Sequence, residues 1–329
     1  MKNKVGILIA AVIMVPLLLL ICIWSVNSVE NKESVVDISV AGSAELRNTI
    51  EIPIEEAKNL EVTYTSKNVY IYPSEGKDIV IKEYLISDRE ECKAQVSKET
   101  DENGRAKTVV TGGKSNVVTF FFIGVGEKIE IYLPDEGLEV LKLQTGSGNI
   151  KKENEFVLTG DEVLVSAGSG NIKWMDTQAQ SLGISTGSGN IKAEDVTADI
   201  ELAAGSGNIS VVSTSGNADI KTGSGNITVE NFKGAGSFEA GSGNVKMQAE
   251  EVTGDLNFRT KSGGIKVRLP KESSFDVQIE TGSGNIRTSF DDVMSYNKDG
   301  NSATGSFGNT PAFTVYAKAG SGNVNLSVE

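Results

Sequence analysis

The stretch Thr222-Gly223-Ser224-Gly225-Asn226-Ile227 decides how this chain is read, because near-copies of it recur through the second half of the sequence. The core Gly-Ser-Gly-Asn begins at Gly146, Gly168, Gly187, Gly205, Gly223, Gly241, Gly282 and Gly320, and a degenerate copy, Lys261-Ser262-Gly263-Gly264, fills one gap. The spacings are 22, 19, 18, 18, 18, 20 and 21 residues and then 38, so the last interval holds an insertion. Self-similarity near 20 residues marks a solenoid, in which each repeat is one structural unit and stacked units bury a continuous core.

Working outward from each motif, apolar residues fall at alternate positions on both sides, the period of a strand. Ala218, Ile220 and Thr222 precede one motif and Ile227 and Val229 follow it; Ile200, Leu202 and Ala204 with Ile209 and Val211 repeat the pattern. Each coil therefore reads as two short strands joined by tight turns. The residue before the first glycine is always small: Thr145, Ala167, Thr186, Ala204, Thr222, Ala240, Thr260, Thr281 and Ala319. The glycines are expected to supply positive φ, and Asn to tolerate the left-handed region and bond to neighbouring backbone. Stacked in register, Asn149, Asn171, Asn190, Asn208, Asn226, Asn244, Asn285 and Asn323 would form a ladder along one edge. Nine coils at about 4.8 Å each give a rod on the order of 40 Å long. The fold class expected is all-β: a parallel β-solenoid preceded by one transmembrane helix, with the hand not fixed by the motif itself, although stacked parallel crossovers are usually right-handed.

That helix is expected over residues 5–26, where Val5 to Trp24 are uncharged and mostly apolar, long enough to span a bilayer. Lys2 and Lys4 precede it, and Glu30, Lys32 and Glu33 follow. The positive-inside rule then makes residues 1–4 a cytoplasmic tail and places the solenoid outside, as a single-pass protein of the cell membrane. The competing reading is a secreted form, cleaved after Ser28. Residues 27–45 read as a polar stalk. Residues 46–140 read as diverged amino-terminal coils forming a cap, because Leu60, Val62 and Tyr64 precede Thr65-Ser66-Lys67-Asn68 in the solenoid register with the glycines lost. Residues 141–329 are the regular solenoid, with an insertion at about 289–312.

Cys22 falls in the apolar segment, so Cys92 stands alone outside it and no intrachain disulfide is available there. A net charge of −13 argues against a nucleic-acid partner. The chain has no His, which removes Ser-His-Asp triads, Cys-His pairs and histidine metal sites. Acidic pairs Glu194-Asp195, Glu250-Glu251 and Asp291-Asp292 read as solvated surface, and the glycine turns lack the Asp of a calcium roll. No enzyme activity, cofactor or metal is expected.

Repeated Ser-Gly-Asn-Ile turns, Leu-Pro strand ends at Leu133-Pro134 and Leu269-Pro270, and the apolar segment in front resemble the bacterial family of unknown function labelled putative adhesin, and the related head-GIN domains. The resemblance covers roughly residues 46 to 329. It implies a right-handed β-solenoid on the bacterial surface, with relatives encoded near envelope-stress systems, and carries no catalytic motif. The departures are the copy at Lys261 and the insertion near Phe290 to Pro311.

Two outward rows and one end carry the functional expectations. Two residues before each motif, Lys221, Glu239, Arg259 and Glu280 form an alternating ladder that tunes structure. Two residues after it, Lys151, Lys173, Lys192, Lys246, Lys266 and Arg287, interrupted by Ser210 and Thr228, make a basic stripe on an acidic protein. Its partner would be an anionic cell-wall polymer or lipid headgroups, with Glu153, Glu194 and Glu230 neutralising part of it or leaving it a merely solvated face. The chain stops after Val324 to Val328, so the last coil either offers a free edge for self-association or lies under a cap anchored by Phe290, Tyr296 and Phe307. The function expected is non-enzymatic binding or scaffolding at the cell envelope. The alternatives are an envelope-stress accessory acting through a membrane partner and a carbohydrate-active β-helix enzyme.

Overall fold

The structure is a computed structural model and describes residues 44–100, 104–114 and 126–329. The expected cytoplasmic tail, membrane helix and nearly all of the stalk lie outside the described residues; among those described, no helix is long and apolar enough to cross a membrane.

The chain is all-β, and its coils stack through parallel strand pairs on two faces. On the face before each turn, residues 200–204 pair with Ala218–Ser224, which pairs with residues 236–242 and these with 256–262. On the face after it, Ile191 pairs with Ile209, then Ile227, Val245 and Ile265. The alternating residues face inward and are buried, so like packs on like in continuous columns: Leu202, Ile220, Phe238 and Phe258 make one, with the two phenylalanine rings stacked at 5.1 Å.

The turn is where the coils touch. An added Cβ at Gly170 would fall 1.7 Å from the carbonyl oxygen of Gly148 one coil below, and one at Gly189 would fall 1.9 Å from that of Gly170. Close backbone approach, more than positive φ, is what demands glycine at these two positions, which do not adopt the left-handed region. The Asn residues are likewise not left-handed; they join the coils. Each backbone N–H at the Asn position donates to the side-chain oxygen of the Asn one coil below, at 2.8 to 2.9 Å, from Asn68 through Asn149, Asn171, Asn190, Asn208 and Asn226 to Asn244. Gly264 donates to Asn244 but has no side chain to offer Asn323, and the ladder resumes where Asn285 donates to Asn323.

The left-handed residues sit at a second corner. Asp176, Asp195, Ser213 and Asn231 all have φ between 49° and 55° and fall eight residues after the first glycine of their motifs. Strands such as Ile191–Ala204 bend there and run on, so a coil is a long bent strand and one tight turn, not two short strands. Asp and Asn tolerate this region better than other non-glycine residues, and their polarity hides the signal among surface residues.

Coil order in space departs from order in sequence at both ends. Phe313–Ser321 lies between residues 256–262 and Phe275–Ser283, and Val324–Val328 lies between Ile265–Leu269 and Ile286–Thr288. The carboxy-terminal coil is interior: Val324 to Leu326 are paired on both sides, so of the two expected alternatives, a free edge or a capped one, the free edge is not what these residues present. Read in spatial order, the residues before the turns alternate without a break: Thr145, Ala167, Thr186, Ala204, Thr222, Ala240, Thr260, Ala319, Thr281. Each threonine hydroxyl donates to a turn carbonyl one coil below, at 2.8 to 3.0 Å: Thr145 to Lys67, Thr186 to Gly170, Thr222 to Gly207, Thr260 to Gly243 and Thr281 to Gly322. At the other end Asn59–Tyr64 and Asn68–Pro73 lie between the next coil and an outer layer formed by Ala106–Thr111 and Lys128–Leu133.

Antiparallel strands close the stack. Asp78–Leu85 and then Glu45–Pro53 flank Lys128–Leu133, and Gln95–Thr100 flanks Ala106–Thr111. Ser302–Phe307 covers Phe275–Ser283, and Met294–Tyr296 covers Ser302–Phe307. Phe290 and Phe307 pack on Phe275, at 5.5 Å each, as the cap anchors. Tyr296 is not one: it is 41% exposed and its hydroxyl donates to Asp291.

One inward position holds a lysine. Lys152 is fully buried beside Trp174, and its Nζ donates to the carbonyls of Phe156, Met175 and Asp176 at 2.7 to 2.9 Å, 4.3 Å from the Phe156 ring centroid. Three ammonium protons meet three corner carbonyls. Burial pushes the ammonium down to about 8 from 10.5, against the pull of Asp176 and Glu155.

Two outcomes follow from this packing. A side chain at Gly264 would meet only the Asn323 carbonyl at 3.2 Å and the Asn244 amide oxygen at 3.5 Å, so Gly264→Asn has room to rejoin the ladder once the carbonyl yields slightly. It is expected to raise stability by about 1 kcal/mol in urea unfolding through one added hydrogen bond and a stiffer unfolded chain; a loss would show that the gap is needed. Lys152→Met strands three carbonyls and is expected to cost several kcal/mol at neutral pH, at roughly 1–3 per orphaned group. Because the folded value lies below the unfolded one, the unfolded chain binds the extra proton between pH 8 and 10.5, so wild-type stability gains on the variant as pH rises across that window, by roughly 3 kcal/mol in full.

Candidate functional site

The face after the turn carries the chemistry. Its strands are parallel, inward positions are taken by the core, and every second side chain therefore projects outward in register with those of neighbouring coils. One such row runs Lys82, Glu130, Tyr70, Lys151, Lys173, Lys192, Ser210, Thr228, Lys246, Lys266, Asn325 and Arg287. All six basic residues singled out in the sequence stand in it, but Asn325 of the intercalated coil separates Lys266 from Arg287.

Glutamates two positions further along the strands hold most of these cations. Glu153 bridges Lys151, at 2.5 Å, and Lys173; Glu194 binds Lys192 at 2.7 Å and Glu230 binds Lys246 at 3.0 Å. Hydrogen bonds from Lys151 and Lys173 pull the Glu153 carboxyl below the usual carboxylate range. Three carboxylates against six cations leave the row net positive. The excess lies at its two ends, where Lys151 and Lys173 share one carboxylate and Lys266 and Arg287 are exposed.

The upstream end of this face is aromatic, a feature the sequence reading passed over because its residues come from three separate segments. Tyr70, Tyr72, Tyr84 and Tyr132 surround Glu130 in adjacent strands. Tyr72 and Tyr132 are 5.5 Å apart between ring centroids. Lys82 lies 4.5 Å over the Tyr132 ring and Lys128 4.5 Å over that of Tyr84. Burial alone would raise the Glu130 carboxyl, but hydrogen bonds from Lys128, at 2.6 Å, from the Tyr132 hydroxyl, at 3.0 Å, and from Tyr84 hold it below its usual value. Burial and the Glu130 charge push the Tyr72, Tyr84 and Tyr132 hydroxyls up, so they stay protonated donors. A cavity of about 400 Å³ opens beside Tyr132 and Lys82, bordered by Glu51, Ser74 and Asp78.

The other features resolve as structure. Lys318 stands between Arg259 and Glu280 and pairs with Glu280 at 2.8 Å, so the alternating ladder expected from Lys221, Glu239, Arg259 and Glu280 is broken by the intercalated coil. Lys221 binds Asp219 of its own strand at 2.7 Å. Asp195, Glu250, Glu251, Asp291 and Asp292 are exposed, and among the described residues no group of acidic or Cys side chains is placed to hold a metal.

The Toastrack DUF4097 family model matches residues 57–240 and again residues 161–327. No curated protein matches the sequence. Among solved structures, a putative adhesin from Bacteroides fragilis NCTC 9343 is 17% identical with a TM-score of 0.42, over 88% of this chain and 100% of that one. A putative adhesin from Parabacteroides distasonis ATCC 8503 is 12% identical with a TM-score of 0.41, over 86% and 98%. A putative cell adhesion protein from Clostridium sporogenes ATCC 15579 is 13% identical with a TM-score of 0.26, over 86% and 98%. The two family matches together run from residue 57 to residue 327, and the chain belongs to the Toastrack DUF4097 family.

Proposed function

We propose that this protein is a non-enzymatic binding or scaffolding protein of the bacterial envelope, adhesin-like, that engages anionic polymer through the lysine row of the face after the turn. The observation that carries the reading is the row itself: six cations held in register on a rigid sheet, against three neutralising carboxylates, on a chain of net charge −13. Like charges at strand spacing repel, so an uncompensated excess is a cost to the fold that a bound anion removes. The apolar residues 5–26, flanked by Lys2 and Lys4 on one side and Glu30 on the other, support an anchored single-pass form with the solenoid outside the cell, in a right-handed stack.

Binding of the purified protein to isolated cell wall, teichoic acid and anionic liposomes across a salt series tests this. Salt-sensitive binding that falls at least about tenfold when Lys173, Lys192, Lys246 and Lys266 are changed to Gln is expected, since interactions of exposed charges are screened. Absence of binding at low salt would sink the reading, and retention on liposomes alone would assign the row to lipid headgroups.

A further inference from the structure

The aromatic end and the basic row are one surface. Tyr70 is the register neighbour of both Glu130 and Lys151, and Lys151 is that of Lys173, so a ligand lying across the strands passes from tyrosine to lysine without leaving the row. Tyr70 and Tyr72 project from the same side of one strand, about 7 Å apart at two residues' rise, and Tyr132 lies beside Tyr72.

These rings are held in place. Lys82 packs on Tyr132, and Glu130 fixes Lys128 and the Tyr132 hydroxyl. Aromatic side chains held by their neighbours lose little freedom on binding. Tyr70 is half-buried like the others but takes part in no ring contact with another described residue, so its ring has a face that no neighbouring ring or cation covers.

The chemistry of the patch selects among ligands. A bare hydrocarbon surface would leave the outer tyrosine hydroxyls and the lysine ammonium groups facing apolar groups, at the cost of removing them from water. A sugar ring does not, because one face of a pyranose is a plane of C–H groups that lies against an aromatic ring while its rim is hydroxyl. Rings for the C–H face are present in Tyr70 and Tyr72, and the Tyr72 hydroxyl, held protonated, is a donor for the rim, whereas Glu130 and the hydroxyls of Tyr84 and Tyr132 are paired with one another beneath them. Glu51, Ser74 and Asp78 around the adjoining cavity add acceptors and a donor at the same level. The cations come next along the row. Lys151 and Lys173 share the single carboxylate of Glu153, which leaves the group one positive charge and holds both ammonium heads over the face.

We propose that Tyr70, Tyr72 and Tyr132 together with Lys151 and Lys173 form a binding site for an anionic polysaccharide, its sugar rings lying on the tyrosines and its acid groups on the lysines. This rests on the lysine row being a polymer-binding surface and adds the class of polymer. The Glu130 cluster positions the rings, and Glu153 is the internal anion that the ligand's acid group displaces or shares.

Three probes separate the contributions: polygalacturonate, which has rings and acids, inorganic polyphosphate, which has acids alone, and dextran, which has rings alone. Each is titrated into the full chain, its Tyr70→Ala/Tyr72→Ala variant and its Lys151→Gln/Lys173→Gln variant, with Tyr70→Phe/Tyr72→Phe as the ring-preserving control. Polygalacturonate affinity is expected to fall about tenfold or more in the alanine and the glutamine variants and to stay within about twofold in the phenylalanine variant. Polyphosphate binding should fall only in the glutamine variant, and dextran should bind weakly and lose that binding only in the alanine variant. Equal polygalacturonate binding by wild type and the alanine variant, at unchanged melting temperature, would overturn the polysaccharide assignment while leaving the lysine row as a general anion surface. If the alanine variant melts lower, single Tyr70→Ala decides the matter, since that ring stacks on no other ring among the described residues. Failure of both polygalacturonate and polyphosphate to bind at low salt would remove the underlying reading as well.

Discussion

Everything in this molecule depends on how closely one turn sits on the next. A carbonyl lies within about 2 Å of where a Cβ would stand at the second glycine of a turn, as at Gly170 and Gly189, so the backbone of one coil occupies the space a side chain would need in the next. That approach brings the Asn amide of each coil within 2.8 to 2.9 Å of the following N–H and lets each threonine hydroxyl reach a carbonyl below. The turn is thus a hydrogen-bonded seam running the length of the stack. On either side of it the core columns and the outward rows inherit one register, because a one-residue slip would expose every buried column. The outward rows are a by-product of the seam, and any binding surface here is built on positions the seam has already aligned.

Much of this was legible in the motif itself, and the parts that were not have identifiable causes. Alternation around Gly-Ser-Gly-Asn gives the strands, their inward faces and the Asn ladder directly, since period and spacing are properties of neighbouring residues. The corner at Asp176, Asp195, Ser213 and Asn231 was missed because its residues differ in type and look like ordinary surface polars; only their shared offset from the motif betrays them. The buried Lys152 sits at an inward position that other coils fill with Trp174, Ala193 or Val211, and nothing local says that three carbonyls converge there. The tyrosine cluster joins residues from near 70, 84 and 132, a convergence that depends on Lys128–Leu133 pairing parallel with Asn68–Pro73 on one side and antiparallel with Asp78–Leu85 on the other, pairings that the Gly-Ser-Gly-Asn repeat does not encode. The order of the last coils was the one error with a visible clue, the break in the threonine and alanine alternation at Thr260, Thr281 and Ala319.

The outward face shows two ways of handling charge at strand spacing. In the middle of the row Ser210 and Thr228 dilute the lysines, and Glu194 and Glu230 pair with their neighbours, so local repulsion is small. At the upstream end one carboxylate serves two lysines, and next to it Glu130 is enclosed by tyrosines and a lysine. Exposed ion pairs of this kind contribute little to stability, typically below about 1 kcal/mol each. Their consequence is geometric: long flexible side chains are held in fixed positions above a rigid sheet, which is what a surface needs if it is to meet an extended partner at several points.

The intercalated coils change what kind of solenoid this is. A simple stack is a chain of nearest neighbours, able to fray from either end one coil at a time. Here the end coils are locked by contacts far apart in sequence: Thr314 meets Asp255 across 59 residues and Asn149 meets Asn68 across 81, where interior coils need 18. Closing the longer loops costs only about 1 kcal/mol more than closing an 18-residue one, because loop entropy grows with the logarithm of length. For that small cost the outermost layers are not the chain's next coils in sequence, and removing one also opens the pairing of a coil beneath it. The antiparallel strands Asp78–Leu85 and Ser302–Phe307 then end the parallel lattice against which further coils would dock. The repeat supplies an indefinitely extendable lattice, and the two non-repeating ends fix its length.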